Sequence, residues 1–309
     1  VLHLRVIVPT DLRDPVLTVL STEIGVANLL LYAGASVQPS GDEIAADVAR
    51  ESVNDVLRKL KKLDVQHRGS ITLQPLDTVL STRAHRAEDA AGGDAADAVV
   101  WDELISRTRD DATLTVTFLM FLTVACLLAA IGVVTDSAIT VVGAMVVGPE
   151  FGPLAALSVA LVRRRLDLAR RAAIALGVGF PIAMGITAVF TLAAEAVGWL
   201  SVDTISNLEN VEFIFQVGPM SFVVALLAGA AGMLSLLSSK SAALVGVFIS
   251  VTTVPAAGFA VIAGILKDWP VAIGSVIQLA VNLVGIVVAG VLVLVLRPRG
   301  TIIPSSAQG

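Results

Sequence analysis

Apolar and polar positions alternate at the start of the chain, whereas beyond residue 112 the apolar positions merge into long runs. The two patterns predict two kinds of domain. Leu2, Leu4, Val6 and Val8 alternate with His3, Arg5 and Ile7, the period of two of a half-buried strand. Asp14 followed by Pro15 reads as an N-cap and first helical residue, with Val16, Leu17, Leu20 and Ile24 at helical spacing until Gly25. Residues 26 to 37 predict a second strand, Pro39-Ser40-Gly41-Asp42 a turn, and residues 43 to 48 a partner strand. From Ser52 a second helix puts Val53, Val56, Leu57 and Leu60 on one face and the basic Arg58, Lys59, Lys61 and Lys62 largely opposite, as a solvated face. Residues 69 to 76 close the set. The order βαββαβ is that of the ferredoxin-like split-βαβ sandwich. It predicts an α+β domain over residues 1–80 that buries its own core and folds by itself. Such modules often regulate or assemble a larger protein, which is an analogy of fold alone.

Residues 81 to 97 are polar and rich in Ala and Gly and read as a linker. Val100, Trp101, Leu104 and Ile105 mark one face of a short helix, either interfacial with Trp101 near lipid headgroups or packed on the soluble domain. Linker and helix together take residues 81–111. A membrane domain is expected over 112–299, with a tail over 300–309. Its six apolar segments run roughly from 113 to 134, 138 to 162, 172 to 199, 219 to 238, 241 to 266 and 270 to 296. Each reaches the roughly 20 residues that cross a hydrocarbon core. Arg163, Arg164, Arg165, Arg170, Arg171, Lys240, Arg297 and Arg299 fall on one side of these spans; Lys267, Asp136, Asp203, Glu209, Glu212 and Asp268 fall on the other. The excess of basic residues marks the cytoplasmic side, which puts both termini in the cytoplasm and the chain in the plasma membrane. Residues 2 to 8 agree, because His3 and Arg5 interrupt them and Pro9 stops them short of a secretory apolar core. Trp199 and Trp269 suit the outer aromatic belt, and Pro219 and Pro270 begin the fourth and sixth spans.

Composition sharpens the division. The 309 residues are 56% hydrophobic and 15% charged, against roughly 45–50% and 25% in soluble domains. Residues 1–111 hold 12 Lys+Arg and 18 Asp+Glu, while the remaining 198 hold 9 and 8. A soluble enzyme is therefore not expected. The acidic first domain, poor in aromatics, makes nucleic acid a poor partner. One cysteine, Cys126, and three histidines outside the apolar segments form no zinc or haem motif, so neither metal nor cofactor is expected. No P-loop, G-x-S-x-G or HExxH motif supports enzyme chemistry.

Spans one to three and four to six look like weak copies. Ser137-Ala138-Ile139-Thr140-Val141-Val142-Gly143 resembles Ser241-Ala242-Ala243-Leu244-Val245-Gly246, and each is followed by a proline deep in its span, Pro149 or Pro255, then by Gly152 or Gly258. Three spans per copy make the repeat inverted, as in many secondary transporters; similar composition aligned by chance is the alternative. Gly148-Pro149-Glu150-Phe151-Gly152-Pro153 is the most informative stretch. Two prolines four apart must kink or unwind the span, and Glu150 lies at the break. A carboxylate at the bilayer centre costs at least about 2.5 kcal/mol and is by default an ion-binding or protonatable group; a neutral Glu bonded to freed backbone is the alternative. Ser250, Thr252 and Thr253 precede Pro255, and Gln278 and Asn282 share a face of the sixth span. All could line one polar route, or satisfy backbone and pack helices. Gly229, Gly232, Gly285 and Gly290 permit close helix contact.

Leu128-Ala129-Ala130-Ile131-Gly132, Asp136-Ser137, Val142 to Leu154 with its Gly-Ala-Met and Pro-x-x-Gly-Pro blocks, Leu244-Val245-Gly246-Val247 leading to Pro255, and Asn282-Leu283-Val284-Gly285-Ile286 together resemble the membrane proteins of domain-of-unknown-function family 389. Where many members carry Leu-Met this chain has Glu150-Phe151, and where paired prolines are frequent it has Pro255-Ala256. The resemblance implies six spans with a cytoplasmic N-terminal domain, and no substrate. The expectation is an integral membrane transporter or channel-like protein for an ion or small polar solute. Its expected partners are the lipid bilayer, that solute and a second copy in a homo-oligomer. A membrane sensor or scaffold whose small domain binds a ligand is the rival class, and a lipid-handling protein the third.

Overall fold

The computed structural model describes residues 1–76, 78–93, 98–199, 219–237 and 253–296. They form two compact units, one over Val1–Leu104 and one over Ile105–Arg297.

The first unit is built on four strands, β1 (Leu2–Val8), β2 (Val26–Val37), β3 (Ser40–Val48) and β4 (Ser70–Pro75), in the order β2-β3-β1-β4 with every neighbour antiparallel. Helix α1 (Arg13–Thr22) joins β1 to β2. Helix α2 (Val53–Lys62) and the single turn α3 (Val65–Arg68) join β3 to β4. Leu2, Leu4, Val6 and Val8 meet Val16 and Leu20 of α1 and Val53, Val56, Leu57 and Leu60 of α2 in one core. Asp14 is not the N-cap: a 3-10 turn at Thr10–Leu12 leads straight into α1, so Asp14 lies in the first turn, where its charge still favours the helix dipole. The basic face of α2 is ion-paired, Lys59 with Glu23 and Arg58 with Asp55.

The segment read as a linker contains helix α4 (Thr82–Ala91). Ser81 caps it by accepting from the Ala84 amide, and Ala84 is buried. Val100 joins the core and Leu104 is buried, while Asn54 holds the start of helix α5 (Trp101–Asp111) by accepting from the Trp101 amide. The unit therefore extends to Leu104 rather than residue 80, and its contacts favour the packed reading of residues 101–104 over the interfacial one.

Asp42 ties three parts of this unit together. It is buried, takes the Arg13 guanidinium on Oδ2 at 2.6 Å and the Gly34 amide on Oδ1 at 2.7 Å. The Arg13 hydrogen bond, then the Gly34 amide, hold its carboxyl below the usual carboxylate range. A depressed carboxylate stabilises the fold above its unfolded value of about 3.9, and that contribution is lost as pH falls through the lower folded value. Asp42→Asn is expected to lower the thermal midpoint of this unit at neutral pH, with the gap to the parent closing as pH falls through the lowered folded value. Melting curves followed by circular dichroism check it; an undiminished gap in acid would show that shape, not charge, is what matters at this position.

The second unit is helical: α6 (Val116–Val134), α7 (Ala138–Val147), α8 (Phe151–Arg163), α9 (Leu166–Ala196), α10 (Pro219–Leu237), α11 (Thr253–Ile265) and α12 (Trp269–Leu296). Among the described residues four helices are long and apolar enough to cross a membrane. The pair α7 and α8, bent by 52° at its break, raises the number to five. The fifth sequence segment is described only from residue 253. There α11 covers the thirteen residues Thr253–Ile265. Every residue from Thr253 to Ala263 is buried, because α6, α7, α9 and α12 surround the helix. Outward faces carry exposed Met120, Phe121, Val189, Leu227, Val284 and Leu292. Apolar surface of that extent marks contact with lipid or a partner.

Candidate functional site at the helix break

Gly148 ends α7 in an extended conformation and Glu150 precedes α8. Pro149 lies outside both helices. Pro153 is the third residue of α8, where an amide has no intrahelical acceptor, so neither proline removes a helical hydrogen bond. Pro255 lies near the start of the described part of α11.

Glu150 is fully buried. Its Oε1 accepts a hydrogen bond from Thr253 Oγ1 at 2.5 Å, a contact 103 residues apart in sequence that joins the α7–α8 break to the start of α11. Its Oε2 is buried with no hydrogen-bond partner among the described residues. The side chain folds back over Gly148: a Cβ there would lie 2.3 Å from Oε2 and 2.9 Å from Val254 Cγ2. Gly152 is held closely too, its hypothetical Cβ 2.7 Å from Asp111 Cβ.

Gln278 and Asn282 form a second polar cluster. Both are buried; Gln278 Nε2 donates to Asn282 Oδ1 at 3.1 Å and to Ser221 Oγ of α10. Gln278 Oε1 and Asn282 Nδ2 have no partner among the described residues, and no hydrogen bond joins this cluster to Glu150. Thus the structure brings together Gly148, Glu150 and Thr253, with Pro149, Gly152, Pro153 and Pro255 shaping their backbones, and keeps Gln278 and Asn282 as a separate pair. Ser250 and Thr252 lie outside the described residues. Sequence reasoning passed over Ser221 and also Ser158, whose Oγ bonds the Leu154 and Val287 carbonyls at 3.0 and 3.2 Å and ties α8 to α12. A lone serine in an apolar helix carries no pattern that would single it out. The described residues hold no cluster of His, Cys, Asp and Glu able to take a metal.

Four apolar helices of membrane-crossing length, five with the bent pair, are compatible with a membrane protein, and a small antiparallel-sheet unit precedes them in sequence. More particularly, residues 145–288 match the family model of a domain of unknown function, DUF389, and the chain resembles that family. The match starts within α7 and contains the helix break, Thr253, Gln278 and Asn282. No curated protein and no solved structure matches the chain.

Proposed function

We propose that the protein is an integral membrane transporter or channel-like protein for an ion or small polar solute, with Glu150 and Thr253 in its pathway. The observation that carries this reading is the Thr253–Glu150 hydrogen bond. It joins a buried carboxyl group at a broken helix pair to a second, buried helix, the kind of helix break at which transporters build sites near the membrane midplane. Pro149 and Pro255, each followed three residues later by a glycine, support an inverted 3+3 repeat, and the six apolar segments support six spans. The strand order and the two connecting helices support a ferredoxin-like regulatory or assembly domain on the cytoplasmic side.

Flux into proteoliposomes, across a panel of ions and small polar solutes, tests the function. The expected result is saturable or selective flux that Thr253→Val and Glu150→Gln reduce at least tenfold. No flux for any member, together with ligand binding by the sheet unit, would put a sensor in its place. Orientation is tested with single cysteines in a Cys126→Ala background. An impermeant thiol reagent added to intact cells is expected to label position 199 and not position 164, since Trp199 and Arg164 are both exposed at opposite ends of α9 and its preceding loop. Labelling of position 164 alone would invert the topology.

A further inference from the structure

We propose that the coupling ion of this pathway is a proton, carried on Glu150 Oε2 while Thr253 holds Oε1, and that the conformation described is the closed, proton-loaded state. The inference rests on the transport reading and adds the ion to it.

The surroundings of the carboxyl group decide between a proton and a metal cation. A buried carboxylate needs a counter-charge or several donors to stay ionised. Glu150 Oε1 accepts from the Thr253 hydroxyl, and Oε2 has no hydrogen-bond partner among the described residues. Helices α7, α11 and α12 contain no charged residue. Arg163, at the far end of α8, lies about 20 Å away along that helix. Among the described residues, the titratable groups facing this region from neighbouring elements are Cys126 of α6, a buried free thiol, and Asp111 at the end of α5, whose Cβ and carbonyl lie against Gly152. Neither supplies positive charge. On α9 the described charged groups are Asp167, Arg170, Arg171 and Glu195, near its ends. A sodium or potassium ion would need several oxygen ligands. Around Oε2 stand instead the Gly148 backbone and the neighbouring Val254 methyl.

A proton meets each constraint. It removes the buried charge, leaves Oε1 as a carbonyl oxygen able to accept from Thr253, and requires no further ligand. Release then needs the two broken elements to part, because Glu150 has no exposed surface. Breaking the Thr253 contact admits water to the carboxyl group and lets it ionise, so Thr253 acts as a positioning residue that links the proton to the relative placement of the α7–α8 break and α11. Gly148 is the second positioning residue, since its missing Cβ is the space in which the carboxyl group lies.

The test reads the carboxyl group directly and needs no substrate. Infrared difference spectra of the full chain in lipid nanodiscs are recorded while pH is stepped, with sodium and potassium present or absent. A carboxylic-acid carbonyl band is expected that titrates with pH, is unaffected by either cation and is missing in Glu150→Gln. In Thr253→Val, which retains the carboxyl group, the same band is expected at higher frequency, because a hydrogen bond to its carbonyl oxygen has been lost. That second variant serves if Glu150→Gln does not fold. Absence of any band that responds to these substitutions, or its loss on adding sodium or potassium at fixed pH, would overturn the proposal. A titrating Glu150 band with no flux of any solute would refute transport alone. Selective flux with no such band would refute the proton alone.

Discussion

Gly69→Ala is expected to remove a large part of the stability of the sheet unit. A Cβ on Gly69 would lie 1.9 Å from the Ile7 carbonyl oxygen and 2.9 Å from its carbonyl carbon, and both are backbone atoms in the strand that pairs Ile7 with Ser70. A flexible side chain could turn aside; the central strand of a four-stranded sheet cannot. Gly41 stands in the same relation on the other side of β1, its hypothetical Cβ 2.1 Å from the Val8 carbonyl oxygen, next to the Val8–Asp42 pair. Forcing a methyl group into either place must pull β1 off a neighbour, at a cost at or beyond the roughly 3 kcal/mol of severe overpacking. That is a substantial share of the about 5–15 kcal/mol that holds a domain folded. Limited proteolysis of the full chain checks this: cleavage within residues 1–104 should rise about a hundredfold while the helical unit stays protected. Parental resistance in the variant would mean that the close approach at Gly69 is relieved by a small shift.

Gly229→Leu is expected to separate α10 from α12 and to abolish a stable, monodisperse protein in detergent, with Gly229→Ala showing the same defect in milder form. The hypothetical Cβ of Gly229 meets Ile286 Cα and the Ile286 carbonyl oxygen, both at 2.7 Å, and Ala289 Cβ at 3.0 Å. Gly285 makes the reciprocal approach, 2.9 Å from Ala225 Cβ. Helices that associate in lipid gain no hydrophobic advantage by leaving it, so close packing through small residues and interhelical hydrogen bonds holds them together. Moving α10 outward takes away both, because Ser221 of α10 is the partner of Gln278. The alanine variant should cost about 1–3 kcal/mol and lower the aggregation temperature. Gly177→Ala in α9, where nothing lies within 4 Å of the added Cβ, should match the parent. Equal behaviour of Gly229→Ala and Gly177→Ala would remove the argument that α10 and α12 are locked by close contact.

The two glycines also show what kind of information local sequence lacks. Gly69 reads as the start of the last strand and Gly229 as one small residue among several in an apolar run. Only the atoms brought against them from residues far away in sequence make either place intolerant of a methyl group. The same holds for helix α4. Its polar, Ala-rich segment has no apolar stripe to announce a helix, yet the Ser81 cap and the buried Ala84 give one once β2 and β3 are there to pack on. The burial of α11 was hidden for a different reason: an apolar helix has the same composition whether it faces lipid or is enclosed by other helices.

What the sequence determined by itself is whatever depends on neighbours within a turn or a strand. The alternation of Leu2, Leu4, Val6 and Val8 set a buried strand face, and the spacing of Val53, Val56, Leu57 and Leu60 set a helix face. Long apolar runs required membrane-length helices, and two prolines four apart required a break near Glu150. Each follows from side-chain period or from a missing amide hydrogen, properties carried by consecutive residues. Tertiary structure decided which residues meet across the chain. It chose Thr253 as the donor to Glu150, Ser221 as the partner of Gln278, Gly148 as the space beneath the carboxyl group, and Leu104 as the end of the first unit. Those outcomes depend on how whole helices and strands pack, and a hydroxyl or a glycine has no periodicity that reveals its distant neighbour.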